Sequence, residues 1–239
     1  MSSLTESQQE LADMLLNTKI EAKVIRRLQK TDGSYYLEEA SRPTSPIDFA
    51  QDGEFALKVH EAKPEAPLSP IYVNLRNLPD ELLLKVAQVL AEVKLESPQD
   101  YCTGVPKAAV IIAKKFAEVS KIPFMDVFDK TGQNTHRKIV IKENVKPEPN
   151  TKLLVIDDVI AHGKSKLEAL AAAKQAGFYV NMMVLIDREQ GGMEQIEKEN
   201  CRVYAAMKLT DILDHYLEEN MITQNQYDKT VKYLDQSKI

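Results

Sequence analysis

Apolar and polar residues fall into two periodic patterns along this chain, and the pattern changes near Asp80. Before it, Glu6 to Leu16 carries Leu11, Met14 and Leu15 at helical spacing and predicts an amphipathic helix. A polar stretch rich in Ser, Pro, Asp and Gly then runs from about Lys30 to Gly53 and reads as loop-like. Phe55-Ala-Leu-Lys58 and Ile71-Tyr-Val-Asn74 read as strands, joined by the proline-dense link Glu61 to Pro70, which cannot enter a sheet interior and reads as a surface excursion. After Asp80 the blocks become regular. Helices are predicted from Asp80 to Lys94 and from Lys107 to Val119, with a short strand at Tyr101 to Thr103 between them. Strands follow at Pro123 to Phe128, Lys138 to Lys142 and Leu153 to Asp157, then a helix from Lys166 to Ala176. Strands at Val180 to Ile186 and Arg202 to Ala205 precede helices at Leu209 to Glu218 and Gln224 to Gln236. Strands alternating with helices at this spacing indicate an α/β fold: a Rossmann-like parallel sheet flanked by helices, with a small N-terminal hood.

Composition narrows the class without naming a function. A chain of 239 residues can bury a sizeable core, and its formal net charge of −5 gives no basic footprint for nucleic acid. No apolar run approaches the length of a membrane span, and Met1-Ser-Ser-Leu-Thr-Glu-Ser-Gln8 is too polar for a signal peptide. Two distant cysteines, Cys102 and Cys201, suit a reducing cytoplasm and read as core residues. The expected organisation is a single domain over residues 1–239, with helix and hood strands in 1–78, the α/β core in 79–218 and a C-terminal helix in 219–239.

Candidate chemistry concentrates in Leu153-Leu-Val-Ile-Asp-Asp-Val-Ile-Ala-His-Gly-Lys-Ser165. Aliphatic residues ending in Asp157 and Asp158 predict a buried parallel strand that delivers two acids to the crevice where ligands of open α/β sheets bind. Ionised carboxylates accept hydrogen bonds and never donate them, which matches the vicinal hydroxyls of a ribose. The glycine turn after them opens a helix whose free N–H groups and positive dipole end suit a phosphate. The alternative is a strand end whose Asp merely caps the next helix. Strand, acids, glycine turn and helix together favour a sugar phosphate.

The same segment resembles the phosphoribosyl-diphosphate (PRPP) signature of the type I phosphoribosyltransferases. Val184-Leu-Ile-Asp-Arg-Glu-Gln-Gly-Gly192 resembles the Asp-Arg-Glu-Gln-Gly-Gly run of orotate phosphoribosyltransferases. Gly53 to Lys58, Ser69 to Asn74, Gly104 to Ala109 and Leu209 to Leu213 agree in the family's order, so the resemblance spans about residues 50 to 218. It implies that Asp157 and Asp158 hold the ribose hydroxyls. Val159, Ile160, Ala161, His162, Gly163, Lys164 and Ser165 would form the 5′-phosphate loop, through its amides and the Ser165 hydroxyl. Lys58 and Lys107 are expected near the diphosphate, and Tyr72 and Arg188 against orotate. A forked guanidinium matches a carboxylate or imide edge in a way that Lys cannot; the alternative is a surface Arg paired with Glu189. Tyr72 could equally be a core tyrosine, and His162 and Lys164 solvated loop residues.

Four departures accompany the resemblance, the first being the proline-dense link from Glu61 to Pro70, which is usually shorter in the family. Ala161 stands where the family usually has Thr, removing a hydroxyl donor of the scale of one charged hydrogen bond, roughly 1.5–3 kcal/mol. Lys107 matches the family pattern only in part. The segment Asp126 to Lys138 lacks the Arg-Lys-Glu-x-Lys-like run of the family's mobile loop, which acts across subunits. Lys130, His136, Arg137 and Lys138 are the cations available there, and Lys130, His136 and Lys138 are the candidates for stabilising departing pyrophosphate. Two functions follow from the resemblance: transfer of 5-phosphoribose from Mg²⁺-PRPP to orotate or another base, with the ion carried mainly by PRPP, or a noncatalytic PRPP- or nucleotide-binding regulator. A homodimer without nucleic-acid or membrane partners is implied in either case.

Overall fold

Arg26 and Arg42 turn their guanidinium groups on the fully buried carboxylate of Glu54, and much of the N-terminal part is organised around that charge. The structure is a computed structural model and describes residues 3–56, 59–106, 108–132 and 138–238. It divides into two compact units, Met1–Leu78 with Leu213–Ser237, and Pro79–Ile212 with Lys238–Ile239.

In the first unit, helix α1 (Glu6–Asn17) is closed by a reciprocal Thr5/Gln8 capping box and buries Leu11, Ala12 and Leu15. Strands β1 (Ile20–Gln29) and β2 (Tyr35–Thr44) pair antiparallel across a turn in which Gly33 has φ +85° and Asp32 accepts from the Ser34 N–H. The region expected to be loop-like therefore contains two strands, β2 and the short Ile47–Phe49. Both faces of the hairpin are largely exposed, and cross-strand pairs such as Lys23–Glu39 stand where a buried apolar row would have set the period of two.

Strand β3 (Ile47–Phe49) pairs with β4 (Ile71–Val73), placing Asp48 opposite Tyr72. The strand expected at Phe55 does not form within the described residues. Phe55 takes φ +57°, and the chain turns there because Glu54 is anchored inward by Arg42 at 2.6 Å and Arg26 at 3.0 Å. Leu57 and Lys58 lie outside the described residues. The proline-dense link opens with a short helix, α2 (Val59–Ala62), and is tied down where Arg27 Nη1 donates to the carbonyls of Pro64 and Ala66, each at 2.7 Å.

The second unit holds helix α3 (Asp80–Ala91), strand β5 (Tyr101–Gly104), helix α4 (Ala109–Ser120) and the antiparallel pair β6 (Phe128–Thr131) and β7 (Lys138–Ile141). Strand β8 (Lys152–Ile160), helix α5 (Lys164–Gln175), strand β9 (Tyr179–Asp187), helix α6 (Gly192–Lys198) and strand β10 (Val203–Lys208) complete it. Helix α7 (Leu209–Glu218) crosses the boundary between the units, and α8 (Gln224–Gln236) belongs to the first, where Tyr216 of α7 donates to Ala12 O at 2.6 Å. The strand expected at Pro123 to Phe128 shrinks to one bridge between Phe124 and Cys102, because the chain leaves the sheet and begins the separate β6–β7 hairpin.

The sheet order is β10-β9-β8-β5, all parallel, as the alternation of strands and helices predicts. Leu153 to Ile156 and Met182 to Ile186 are completely buried, as expected of strands covered on both faces. Cys102 and Cys201 lie in this core, and burial pushes their thiols up to about 12 and about 11, which makes them inert packing groups. The chain runs from β5 to the Phe124 bridge on one side and returns to β8 on the other. That reversal is a switch point, outside which open α/β sheets bind ligands at the carboxyl ends of their strands, here β5 and β8. Among the described residues no helix is long and apolar enough to cross a membrane.

Candidate functional site

The carboxyl end of β8 supplies the two acids. Asp157 is 5% exposed and its Oδ1 accepts from the Asp158 N–H at 3.0 Å, while Asp158 is half-buried and accepts from the Val159 N–H at 2.7 Å. Burial raises the Asp157 carboxyl above the ordinary carboxylate range and the adjacent Asp158 adds to the rise; the ammonium of Lys166, 2.7 Å from Oδ2, opposes it.

Beyond Ile160 the chain turns through Ala161 and the exposed His162 to Gly163, whose φ of +70° makes the left-handed entry to α5. The Gly163 carbonyl accepts the N–H groups of Lys166 and Leu167 at 2.9 Å, so the helix starts at once and its earlier amides face the turn. Lys164 and Ser165 occupy this first turn, and their side chains lie outside what is described.

A second loop braces the first. Arg188 N–H donates to Ile160 O at 2.9 Å, which extends the β8–β9 pairing past the strand ends. Gly192 packs so closely beneath the turn that a Cβ there would lie 2.5 Å from Ala161 O. Arg188 is half-buried beside this contact, and Glu189 is turned to Thr210, accepting from its N–H and hydroxyl. Burial also raises the Asp187 carboxyl, with Glu189 and Glu194 adding to the effect and the Glu189 N–H and Lys208 opposing it.

The other edge of the crevice is the β5–α4 turn. Gly104 is obligatory there, since a Cβ would sit 2.4 Å from Ala109 O. Lys130 of β6 extends its ammonium to Pro106 O at 3.4 Å, next to Lys107, which lies outside the described residues, as do His136 and Arg137. Lys138 is exposed at the head of β7 opposite Thr131, and Glu168 of α5 accepts from the neighbouring Ile139 N–H at 3.1 Å. The hairpin is thus tethered to the helix that follows the candidate phosphate loop.

Asp157, Asp158, Ala161, Gly163, Arg188 and Lys130 are therefore carried by elements of one unit around the sheet reversal. Tyr72 belongs to the other unit, where it is half-buried and stacks on Phe55 with ring centres 5.0 Å apart. Lys166 is the residue that pattern reading passed over, although a lysine in the first turn of a helix, against the helix dipole, was a signal available in the sequence.

No family model matches the chain. It is 31% identical over 156 residues to an orotate phosphoribosyltransferase of Aquifex aeolicus, covering 61% of this chain and 82% of that one. It is 24% identical over 210 residues to the enzyme of that name from Caenorhabditis elegans, covering 82% and 88%. Among solved structures, that of Leishmania donovani UMP synthase superposes with a TM-score of 0.68 at 23% identity, over 96% of this chain and 42% of that one.

Proposed function

Because the chain belongs to the orotate phosphoribosyltransferase family, we propose that it transfers 5-phosphoribose from PRPP to orotate, giving orotidine 5′-monophosphate and pyrophosphate for pyrimidine biosynthesis. The observation that carries this reading is the run from β8 through Asp157, Asp158 and the left-handed Gly163 turn into α5, at the reversal of the sheet. Asp157 and Asp158 accept from the ribose hydroxyls, and the amides from Ala161 to Ser165 hold the 5′-phosphate. Arg188 meets the carboxylate or imide edge of orotate; roles for Tyr72 on the base and for Lys58 and Lys107 toward the diphosphate rest on the family resemblance alone.

The C1′–oxygen bond to the diphosphate breaks with its electron pair leaving on pyrophosphate. The ring nitrogen of orotate bonds C1′ from the opposite face and releases its proton. Negative charge grows on the leaving group, and Lys130, held at the rim of the β5–α4 turn, is a described cation situated to meet it, with Lys138 on the same hairpin; His136 is the further candidate and lies outside the described residues. Mg²⁺ fits the site as part of the substrate, since the donors best suited to it are diphosphate and ribose oxygens, and when bound it offsets diphosphate charge. A homodimer and a cytoplasmic location belong to the same proposal; two buried thiols support a reducing compartment.

The test follows orotate absorbance with the protein, PRPP and Mg²⁺, beside calorimetric PRPP binding. Turnover is expected, and Asp157→Asn with Asp158→Asn abolishes PRPP binding while the fold persists. PRPP binding without turnover of orotate or any other base refutes the transferase and leaves a PRPP-binding regulator. Elution as a monomer on size exclusion counts against shared sites.

A further inference from the structure

Lys166 is the third residue of α5, where the exposed N–H groups of a helix disfavour a cation, and the first turn contains no acid to offset it. Its side chain is nevertheless only 13% exposed, and its ammonium lies 2.7 Å from an Asp157 carboxylate that is 7% exposed. A long cation drawn inward at an unfavourable helix position needs a compensating partner, and that partner is one of the two acids assigned to the ribose. Local rules are broken in this way where a site requires it.

We infer that Lys166 is a positioning residue of the ribose pocket: its ammonium pins the Asp157 carboxylate and supplies the charge that lets two adjacent acids share one end of β8. The inference rests on the ribose assignment proposed above. Two neighbouring carboxylates, one of them buried, repel each other and invite a proton onto the buried one. A protonated Asp157 would donate rather than accept and would lose its match to a diol. Among the described residues the charges bearing on Asp157 are Lys166 from α5 and Asp158 beside it on β8; β9 presents Val184 at the paired position, and β5 ends at Gly104 opposite Ile156. Lys166 is thus the cation that offsets both burial and repulsion. It leaves Asp158, the more exposed acid, carrying the net negative charge at the diol end, close to where an anionic phosphate must also settle.

The experiment measures PRPP affinity by calorimetry with Mg²⁺ on the full chain, from about pH 7 to about pH 9, for Lys166→Met, Lys166→Gln and Lys166→Arg, with kcat and KM for PRPP in parallel. Lys166→Met is expected to weaken PRPP by about tenfold or more near neutral pH, the scale of one charge-assisted hydrogen bond. Part of the loss returns at the alkaline end as Asp157 ionises unaided. KM rises more than kcat falls, and Lys166→Arg stays near wild type. Should the methionine variant fail to fold, Lys166→Gln, which keeps a hydrogen-bonding tip without the charge, is expected to show the same loss and the same alkaline recovery. Wild-type affinity in an uncharged variant overturns the inference, and so does a loss that is equal at every pH and shared by Lys166→Arg, which marks packing alone. The Asp157→Asn, Asp158→Asn protein separates the two levels: if it binds PRPP normally, the ribose assignment falls and the role of Lys166 with it. If it loses binding while the uncharged Lys166 variants keep theirs, only the role of Lys166 falls.

Discussion

Gly192 offers a test of whether the loop after β9 sets the position of the phosphate turn. A Cβ at this residue would meet Ala161 O at 2.5 Å, Ile160 Cγ1 at 2.7 Å and Ala161 C at 2.9 Å. Ordinary contacts lie near 3.5–4.0 Å, so Gly192→Ala requires the two loops to separate by roughly 1 Å. Neither obstacle can move aside freely: one is backbone, and Ile160 is fully buried. The glycine lies at the first position of α6 with no left-handed φ, so alanine is conformationally acceptable there. Helix propensity would favour alanine by up to about 1 kcal/mol, against about 1–3 kcal/mol for overpacking. The expected net loss of stability is up to about 2 kcal/mol, a fall in Tm of at most several degrees for a chain of this size. The effect on function is larger. A displacement of about 1 Å in a substrate-positioning loop costs on the order of 10²-fold, so kcat/KM for PRPP should drop far more than the melting temperature implies. Differential scanning fluorimetry beside steady-state kinetics reads both quantities. A variant that melts lower but keeps its kcat/KM for PRPP would show that Ala161 does not help to position the phosphate, and the bracing role of Gly192 would be wrong.

Two further outcomes follow from charged groups. Burial pushes the Glu54 carboxyl up, but Arg42, Arg26 and the Gln51 N–H more than offset it and hold it at about 2, below the ordinary 4.5. The unfolded chain therefore binds more protons between those values, and stability from this group is present above about pH 4.5 and lost as the pH falls toward about 2. Glu54→Gln should cost about 1–3 kcal/mol near neutral pH, because each guanidinium loses one charge-assisted partner while Arg42 keeps Asp48 at 2.8 Å and Arg26 stays partly exposed; thermal melts of the two proteins should converge on acidification, and a constant gap would refute the assignment. Lys130→Ala and Lys138→Ala should lower kcat more than they raise KM for PRPP if the β6–β7 hairpin stabilises the leaving pyrophosphate, with Lys130 the larger effect. Unchanged kcat in both would move that role elsewhere.

The parts of the fold that could be read from the chain are those where one physical term dominates. Leu153 to Ile156 is a continuous aliphatic run because β8 is covered on both faces, and the acids and glycine that end it leave few other structures open. The β1–β2 hairpin escaped because half-exposed faces leave no apolar period; charge pairs and a Gly33 turn hold it instead. Phe55 looked like a strand residue by composition, yet the ion pairs on Glu54 twist its backbone to a positive φ. Helix α6 is seven residues long and starts at a glycine pair, too short to establish a helical period. Lys166 shows the same limit at the site: the misplaced charge is visible in the sequence, but its partner is fixed only once α5 packs over the end of β8.

That packing also gives the site its direction. Acid oxygens lie at the end of β8, helix amides lie one turn later at the start of α5, and the ammonium of Lys130 lies across the crevice at the β5–α4 turn. Hydroxyls match the first of these positions, and anionic oxygens match the other two. An ionised carboxylate rejects phosphate oxygens, and helix amides offer nothing to a hydroxyl hydrogen. On the assignment proposed above, the diol of a phosphorylated pentose faces the acids, and its anionic groups face the amides and the ammonium. The hydrogen bond from Ile139 N–H to Glu168 joins the strand that bears Lys138 directly to the helix that follows the glycine turn.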